Sequence, residues 1–242
     1  MERDLPGTLA MVAAIGYTQV EFAGYFGCDP ATIVHLLESS GLSAPSAHVT
    51  PAELLQHPEL SLDTAALTGH QYIVLAWWEA ALRNPDGYRQ LADLLNRVGT
   101  LAQQRGLSLA YHNHDFEFLP GETGTPYDFL LAATDPHAVS YELDLYWAVS
   151  SGIDPLQLFA DHPGRFPLLH AKDMDSSGQE TDIGTGEIDF ASLLGALPAN
   201  SVEHIFVERD EPQLPLASAA QGLNRLQEIL GARSGNKKKT GR

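Results

Sequence analysis

Apolar runs of strand length recur along this chain with helical stretches between them, and four of the later runs end in residues that can bind a cation or move a proton. The central one is Leu107-Ser-Leu-Ala110, which runs into Tyr111-His112-Asn113-His114-Asp115-Phe116-Glu117-Phe118. Strand side chains alternate, so His112 and His114 belong on one face and Tyr111 and Asn113 on the other. Three further runs follow the same plan: Val139–Trp147 with Glu142 and Asp144, Phe166–Asp173 with His170 and Lys172, and His204–Asp210 with Glu208. Together they set His112, His114, Asp144, His170 and Glu208 at the ends of four strands, a donor set suited to a borderline divalent metal such as Mn, Co or Zn.

The alternation extends over the whole chain. Helices are expected over residues 6–15, 30–39, 60–68, 85–105, 125–134, 155–161, 190–197 and 217–230. Strands are expected over 18–24, 42–48, 71–77, 107–111, 139–147, 166–172 and 204–210. Asp29-Pro30 and Asp154-Pro155 each supply a capping carboxylate followed by proline at the first helical position. Strands alternating with helices imply a parallel sheet covered by helices. Functional residues at C-terminal strand ends favour a barrel over a doubly wound sheet, and no Gly-rich turn follows an early strand. Gly184-Thr-Gly186 comes late and precedes Glu and Asp, so it is a weak phosphate-loop candidate. The expected fold class is therefore α/β, a TIM (β/α)8-type barrel lacking its first strand, with seven strands visible. An open parallel edge left by that strand invites association, a homodimer being the simplest form.

Composition narrows the function. The formal charge is −17, and the last ten residues hold five of the 14 Lys and Arg and none of the 31 Asp and Glu. The rest of the chain thus sets nine basic against 31 acidic groups, a net of −22, which opposes a nucleic-acid partner. The expected organisation is a barrel domain over 1–231 and a disordered basic tail over 232–242. No run of 18 apolar residues suggests a membrane span, no leader pattern is visible, and a cytoplasmic location is expected. The single cysteine, Cys28, excludes an internal disulfide and reads as a small packed thiol.

Each site candidate has a plain structural reading beside the functional one. Asp144 could cap a helix, but Glu142, Asp144 and Tyr146 should share one face, and two carboxylates there call for a cation. His170 could be a core histidine, but Asp144 and Glu208 lie on neighbouring strand ends. Lys172 should face with His170, placed to bind a substrate hydroxyl or polarise a carbonyl. His48 ends the second strand, and Trp147, Trp77, Trp78 and Tyr25 are rim or core aromatics of the kind that stack on sugar faces. His35, His57, His70, His137 and His162 fall in helices or connections and read as structural.

Taken in order, Gly16–Tyr25, Ser46-Ala-His48, Tyr111–Phe118, Glu142–Trp147, His170–Asp173, Gly184–Asp189 and Val207-Glu208 resemble the xylose-isomerase-like TIM-barrel superfamily, in its sugar phosphate isomerase/epimerase branch. The resemblance covers nearly the whole chain and implies a first strand upstream of the first helix. It also implies a divalent metal (Mn, Co, Mg or Zn) held by strand-end Glu, Asp, His and Glu. Asp144, His170 and Glu208 match three of these; where the epimerases commonly carry a glutamate, this chain has His112, and His112, His114 or Glu117 would supply the fourth ligand. The expected function is a metal-dependent isomerase or epimerase of a small carbohydrate or keto-sugar. Glu208, His112, His114 and Lys172 are its catalytic candidates, and His48, Glu117, Glu142 and Trp147 the substrate-binding ones. The alternatives are a lyase of the inosose-dehydratase or keto-sugar-hydratase type and an inactive sugar-binding barrel. The DNA endonucleases of the superfamily are disfavoured by charge.

Overall fold

A computed structural model describes residues 4–121 and 124–239. Seven parallel strands form one sheet curled into a nearly closed barrel: β1 (Gln19–Phe22), β2 (Ser43–Val49), β3 (Tyr72–Leu75), β4 (Ser108–His112), β5 (Val139–Asp144), β6 (Leu168–Ala171) and, last in the order, β9 (His204–Val207). A two-stranded antiparallel hairpin, β7 (Asp173–Met174) and β8 (Glu180–Thr181), leaves the end of β6. The helices are α1 (Leu5–Ile15), α2 (Pro30–Ser40), α3 (Pro51–Gln56), α4 (Pro58–Thr68), α5 (Pro85–Gln103), α6 (Pro126–Ala133), α7 (Leu145–Ser150), α8 (Pro155–Asp161), α9 (Phe190–Ala196) and α10 (Pro215–Lys239). Among the described residues, no helix is long and apolar enough to cross a membrane.

Local chemistry sets the element boundaries. Asp4, Asp29, Asn84 and Asp154 each accept a backbone N–H at a helix start and are followed by a proline at the first positions of the helix or one residue later. β5 stops at Asp144, short of the expected Trp147, because the Asp144 carboxylate accepts the Trp147 N–H (3.0 Å) and so caps α7. Tyr146 therefore sits on a helix and is no strand neighbour of Asp144. The sequence reading left out α3, whose start is a reciprocal cap between Thr50 and Glu53 with Pro51 between them. α10 continues to Lys239, past the boundary at 231 read from the sequence, so the backbone of 232–239 is helical where an irregular tail was expected; residues 240–242 lie outside the described residues.

Strand alternation divides the sheet into two chemistries. Ile73, Leu75, Leu109, Tyr111, Tyr141, Leu143, Leu169 and Ala171 point outward into the main apolar cluster, packed against the helices. Tyr72, Val74, Ala110, Leu168 and Phe206 form a separate buried cluster in the barrel interior. The next positions along the same face are charged. The register places His112 beside Glu142, and Asp144 beside His170. The apolar floor thus lies directly below a polar mouth.

β1 and β9 are the sheet's two edges and are not paired with each other. Between them lies a cavity of about 310 Å³ lined by Gln19, Leu194, Leu197 and the 200–205 segment. His204 Nδ1 lies 2.9 Å from Gln19 Oε1, bridging the edges by side chains, and α1 packs against α10 on the outside.

The loop 184–188 is organised by one buried carboxylate. Asp173, fully buried, accepts the N–H groups of Gly184 (2.9 Å), Gly186 (3.1 Å), Ile188 (3.1 Å) and Met174 (2.9 Å). A Cβ at residue 186 would stand 2.2 Å from the Met174 carbonyl oxygen, so only glycine fits there. These N–H groups are already used, which removes the loop as a phosphate cradle. Asp173→Ala would strand several of them, and it is expected to lower stability by about 3 kcal/mol. In urea denaturation this appears as a lower midpoint at an unchanged slope.

Candidate metal and catalytic site

The mouth of the barrel collects side chains from six strand ends, those of β1, β2, β4, β5, β6 and β9. His170 is the hub: its Nδ1 lies 2.8 Å from Glu208 Oε2, and its Nε2 lies 2.7 Å from Glu21 Oε2 and 3.1 Å from Glu142 Oε2. His48 Nε2 reaches the same two carboxylates, Glu21 at 2.9 Å and Glu142 at 3.1 Å. His112 Nδ1 approaches Glu142 Oε2 at 3.5 Å, outside hydrogen-bond geometry. Lys172, almost fully buried, places Nζ 3.0 Å from Asp210, 3.3 Å from Glu180, 3.4 Å from Glu208 and 4.0 Å from Asp144.

Burial and charge oppose each other throughout. Burial would neutralise His170, but the Glu142 and Glu208 carboxylates prevail and raise its pKa well above the ordinary value. Burial likewise disfavours the His48 imidazolium, yet Glu21 and Glu142 push its pKa up to about 10. His112, by contrast, is driven well below its ordinary value by burial and by the charge of His170. Burial and Lys172 hold His114 down to about 4. Burial works against the Lys172 ammonium, but Glu208, Asp144 and Asp210 keep it protonated. Burial, helped by Glu208, raises Asp144 to about 7 despite Lys172 and His170. Glu208 is held well below the carboxylate range because its pairing with His170 outweighs desolvation.

These groups fit a divalent metal. One donor atom each from His112, Asp144, His170 and Glu208 lie within 4.8 Å of one another. His112 Nδ1 and Asp144 Oδ2 are buried with no hydrogen-bond partner, as expected of atoms intended for a ligand that protein groups do not replace. Two imidazoles with two carboxylates suit Mn, Co or Zn. Asn113 fixes the geometry from behind: its Oδ1 accepts the Asp144 N–H at 3.1 Å, tying the end of β4 to the end of β5.

The remaining candidates divide. His114 and Trp147 join the wall: His114 stands edge-on to His112 with ring centroids 4.9 Å apart, and Lys172 Nζ lies 5.4 Å from the Trp147 ring centroid. His48, part-exposed, and Glu142, fully buried, sit among the ionic groups. Glu117 is elsewhere. A turn closed by Phe118 N–H to Asp115 O (3.0 Å) carries it away from the mouth, where it accepts the Tyr111 hydroxyl and the His114 N–H (2.8 Å). It is fully buried there, which corrects its expected role as ligand or substrate contact. Three residues were missed. Glu21 had a signal, since it alternates with Val20 and Phe22 on a short strand; Asp210 lies two residues beyond Glu208; Glu180 had none, because the β7–β8 hairpin was not foreseen.

Fold and site together give a parallel barrel whose strand ends carry groups that could hold a divalent cation. The sequence model of the xylose isomerase-like TIM barrel matches residues 9–229, and the chain belongs to that family. Among curated relatives, an inosose dehydratase of Geobacillus thermodenitrificans is 32% identical over 53% of this chain, a match spanning about half (48%) of that protein. The inosose dehydratase of Lacticaseibacillus casei is 26% identical over 81% of this chain and 78% of its own length. A solved sugar phosphate isomerase/epimerase from Parabacteroides distasonis superposes with a TM-score of 0.80 at 25% identity, over 93% of this chain and 88% of the other. Its relatives are thus enzymes, with both lyase and isomerase names among them.

Glu117 offers a test of the electrostatics on the outer side of β4. Burial, only partly offset by the Tyr111 hydroxyl and the His114 N–H, raises its pKa to about 7, against an ordinary 4.5. The folded state therefore binds this proton more tightly than the unfolded state does. Its contribution to stability is full below about pH 4.5 and lost as pH rises through 7. Relative to wild type, Glu117→Gln should gain on the order of 2–3 kcal/mol between pH 4.5 and pH 8, read from urea midpoints at both pH values.

Proposed function

We propose that this protein is a divalent-metal-dependent lyase that removes water from a small cyclic or linear keto-polyol of the inosose type. The observation that carries the reading is that one carboxylate of the ligand set remains reachable. Glu142 and Asp144 are fully buried, whereas the Glu208 side chain is 30% exposed at the mouth. Within that ligand set, one reachable carboxylate suits a reaction in which a single group both takes and returns a proton. Epimerisation by two opposed carboxylates would need a second, and His112 stands where the related epimerases commonly carry it.

His112, Asp144, His170 and Glu208 would hold the cation. When bound, it supplies Lewis acidity that polarises the substrate carbonyl and acidifies the neighbouring C–H. The Glu208 carboxylate takes that proton, and the electron pair moves to form a C=C bond as the β-hydroxyl departs. The same carboxyl group returns the proton to the departing oxygen, so water leaves and Glu208 is regenerated. Lys172 holds its ammonium 3.4 Å from Glu208 and orients that carboxylate toward the substrate. His114, neutral at pH 7, and Trp147, with ring centroids 5.8 Å apart, offer aromatic surface suited to the apolar face of a sugar ring.

The mouth also favours an uncharged substrate. A pocket of about 400 Å³ is lined by Tyr146, Gln179, Glu180, Arg209, Asp210 and Glu211. Its two nearest cations are committed, Lys172 to four carboxylates and Arg209 to Asp182. Carboxylates and amides there match hydroxyl groups and repel a phosphate dianion. The second reading is an isomerase or epimerase of the same substrate class, favoured by the likeness to the Parabacteroides protein.

The test is incubation with inososes and keto-sugars in D2O. Dehydration gives a new ultraviolet enone or enol band and a product lighter by one water; epimerisation instead returns a substrate isomer carrying one carbon-bound deuterium. Glu208→Gln is expected to lower kcat by about 10³-fold. Asp144→Ala and His170→Ala should lose the bound metal in elemental analysis. A wild-type protein that binds no Mn, Co, Mg or Zn while folded would sink the proposal.

A further inference from the structure

The four groups of the ligand set are aimed in two ways. His170 and Glu208 orient each other at 2.8 Å, and Lys172 stands 3.4 Å from Glu208. His112 Nδ1 and Asp144 Oδ2 have no hydrogen-bond partner, so their aim comes from packing and from the backbone that carries them. Behind Asp144 that support is Asn113, whose side chain accepts the Asp144 N–H at 3.1 Å. Behind His112 the sheet stops: the ladder to β3 ends at Tyr111 and the ladder to β5 at His112 itself. This strand end needs a hold that the sheet does not give.

Glu117 supplies it. Its Oε1 accepts the Tyr111 hydroxyl and its Oε2 accepts the His114 N–H at 2.8 Å, so one carboxylate grips the side chain before His112 and the backbone beyond it. Glu117 is itself fixed. Its carbonyl accepts the Tyr127 N–H (2.8 Å) at the start of α6, and the Phe118 and Tyr127 rings pack with centroids 4.7 Å apart. Phe116, on the same turn, lies under the Arg83 guanidinium, 3.3 Å from ring centroid to carbon. The carboxylate is fully buried, and burial outweighs its two hydrogen bonds and the Arg83 charge, raising its pKa to about 7. A glutamine would avoid a buried charge, but it has one acceptor oxygen for two donors. The carboxylate therefore gives up stability at neutral pH and gains a two-point hold on the end of β4.

We propose that Glu117 is a positioning residue: by holding the Tyr111 hydroxyl and the His114 N–H, it sets the direction in which His112 presents its imidazole to the cation and in which His114 lines the mouth. It touches neither metal nor substrate. The inference rests on the metal-binding reading of the proposed function and adds to it a residue behind the sheet. Loosening the hold lets His112 swing away from Asp144 and His170, which weakens the grip on the ion without unfolding the barrel.

The probe is Co2+ alone, titrated into metal-free protein at pH 8 and followed by its visible d–d bands, with circular dichroism and urea midpoints read alongside. Glu117→Gln leaves one acceptor for two donors yet removes a buried charge. Its urea midpoint should equal or exceed that of wild type, while its Co2+ affinity falls about tenfold and the bands shift. Glu117→Met, with no acceptor, should lose more, up to about 100-fold. Thr134→Val is the control: it cuts bonds to Tyr141 and Arg165 behind the sheet without reaching the end of β4. It should lose stability and keep the wild-type affinity and bands. Wild-type affinity and bands in Glu117→Gln overturn the positioning role. So does a Thr134→Val protein that loses as much affinity as Glu117→Gln, since affinity would then follow stability. No Co2+ binding by folded wild type overturns the metal-dependent reading as well, so the two failures are distinguishable.

Discussion

The imidazole of His170 meets a carboxylate on each of its nitrogens, Glu208 on one edge and Glu21 on the other. Those partners come from opposite edges of the open sheet, and a third, Glu142, comes from the strand next to its own. Its ring also neighbours those of His48 and His112, on β2 and β4. Removing it would leave three carboxylates facing each other in a site of low dielectric, where like charges repel far more strongly than in water. Much of the site's design follows from this one residue. The apolar floor below it excludes water, the carboxylates around it keep it charged in the absence of metal, and its two edges divide the carboxylates of the mouth between them.

That division explains why neighbouring histidines differ so much in protonation. His170 and His48 lie between carboxylates and hold protons, whereas burial, reinforced by the His170 charge at His112 and by Lys172 at His114, lowers the other two. A neutral imidazole presents a free lone pair, and the unpartnered Nδ1 of His112 is available without a proton having to leave. One carboxylate of the ligand set, Glu208, stays within reach of a small molecule. The buried groups thus set the field, and the reachable one moves the proton.

Much of this was legible in the sequence, for reasons of period and position. Strand alternation put His112 inward and Tyr111 outward, and the capping pairs Asp29-Pro30 and Asp154-Pro155 marked their helix starts to within a residue. Asp144, His170 and Glu208 were identifiable because each ends an apolar run. The failures have local causes. β5 was drawn too long because Asp144 serves both as strand end and as helix cap, and a period-two pattern cannot show that the backbone has turned. Glu117 was placed in the site because the turn at 115–118, which carries it behind β4, leaves no periodic trace. Glu21 was passed over because its meaning depends on His48 and His170, partners set by barrel closure and not by neighbours in the chain.

Barrel closure is where fold and chemistry meet. A complete barrel closes by backbone ladders on every side, but here β1 and β9 share none. Their joining falls to side chains: His204 to Gln19 at the floor, and at the mouth the two bonds by which His170 holds Glu21 and the residue following β9. Ladder hydrogen bonds are short-range and neutral, whereas these mouth contacts are charged and respond to whatever binds there. Of these groups, His170 and Glu208 are also among those that would hold a cation. The edges that lack a ladder are therefore tied together at the mouth through His170, a residue of the candidate site itself.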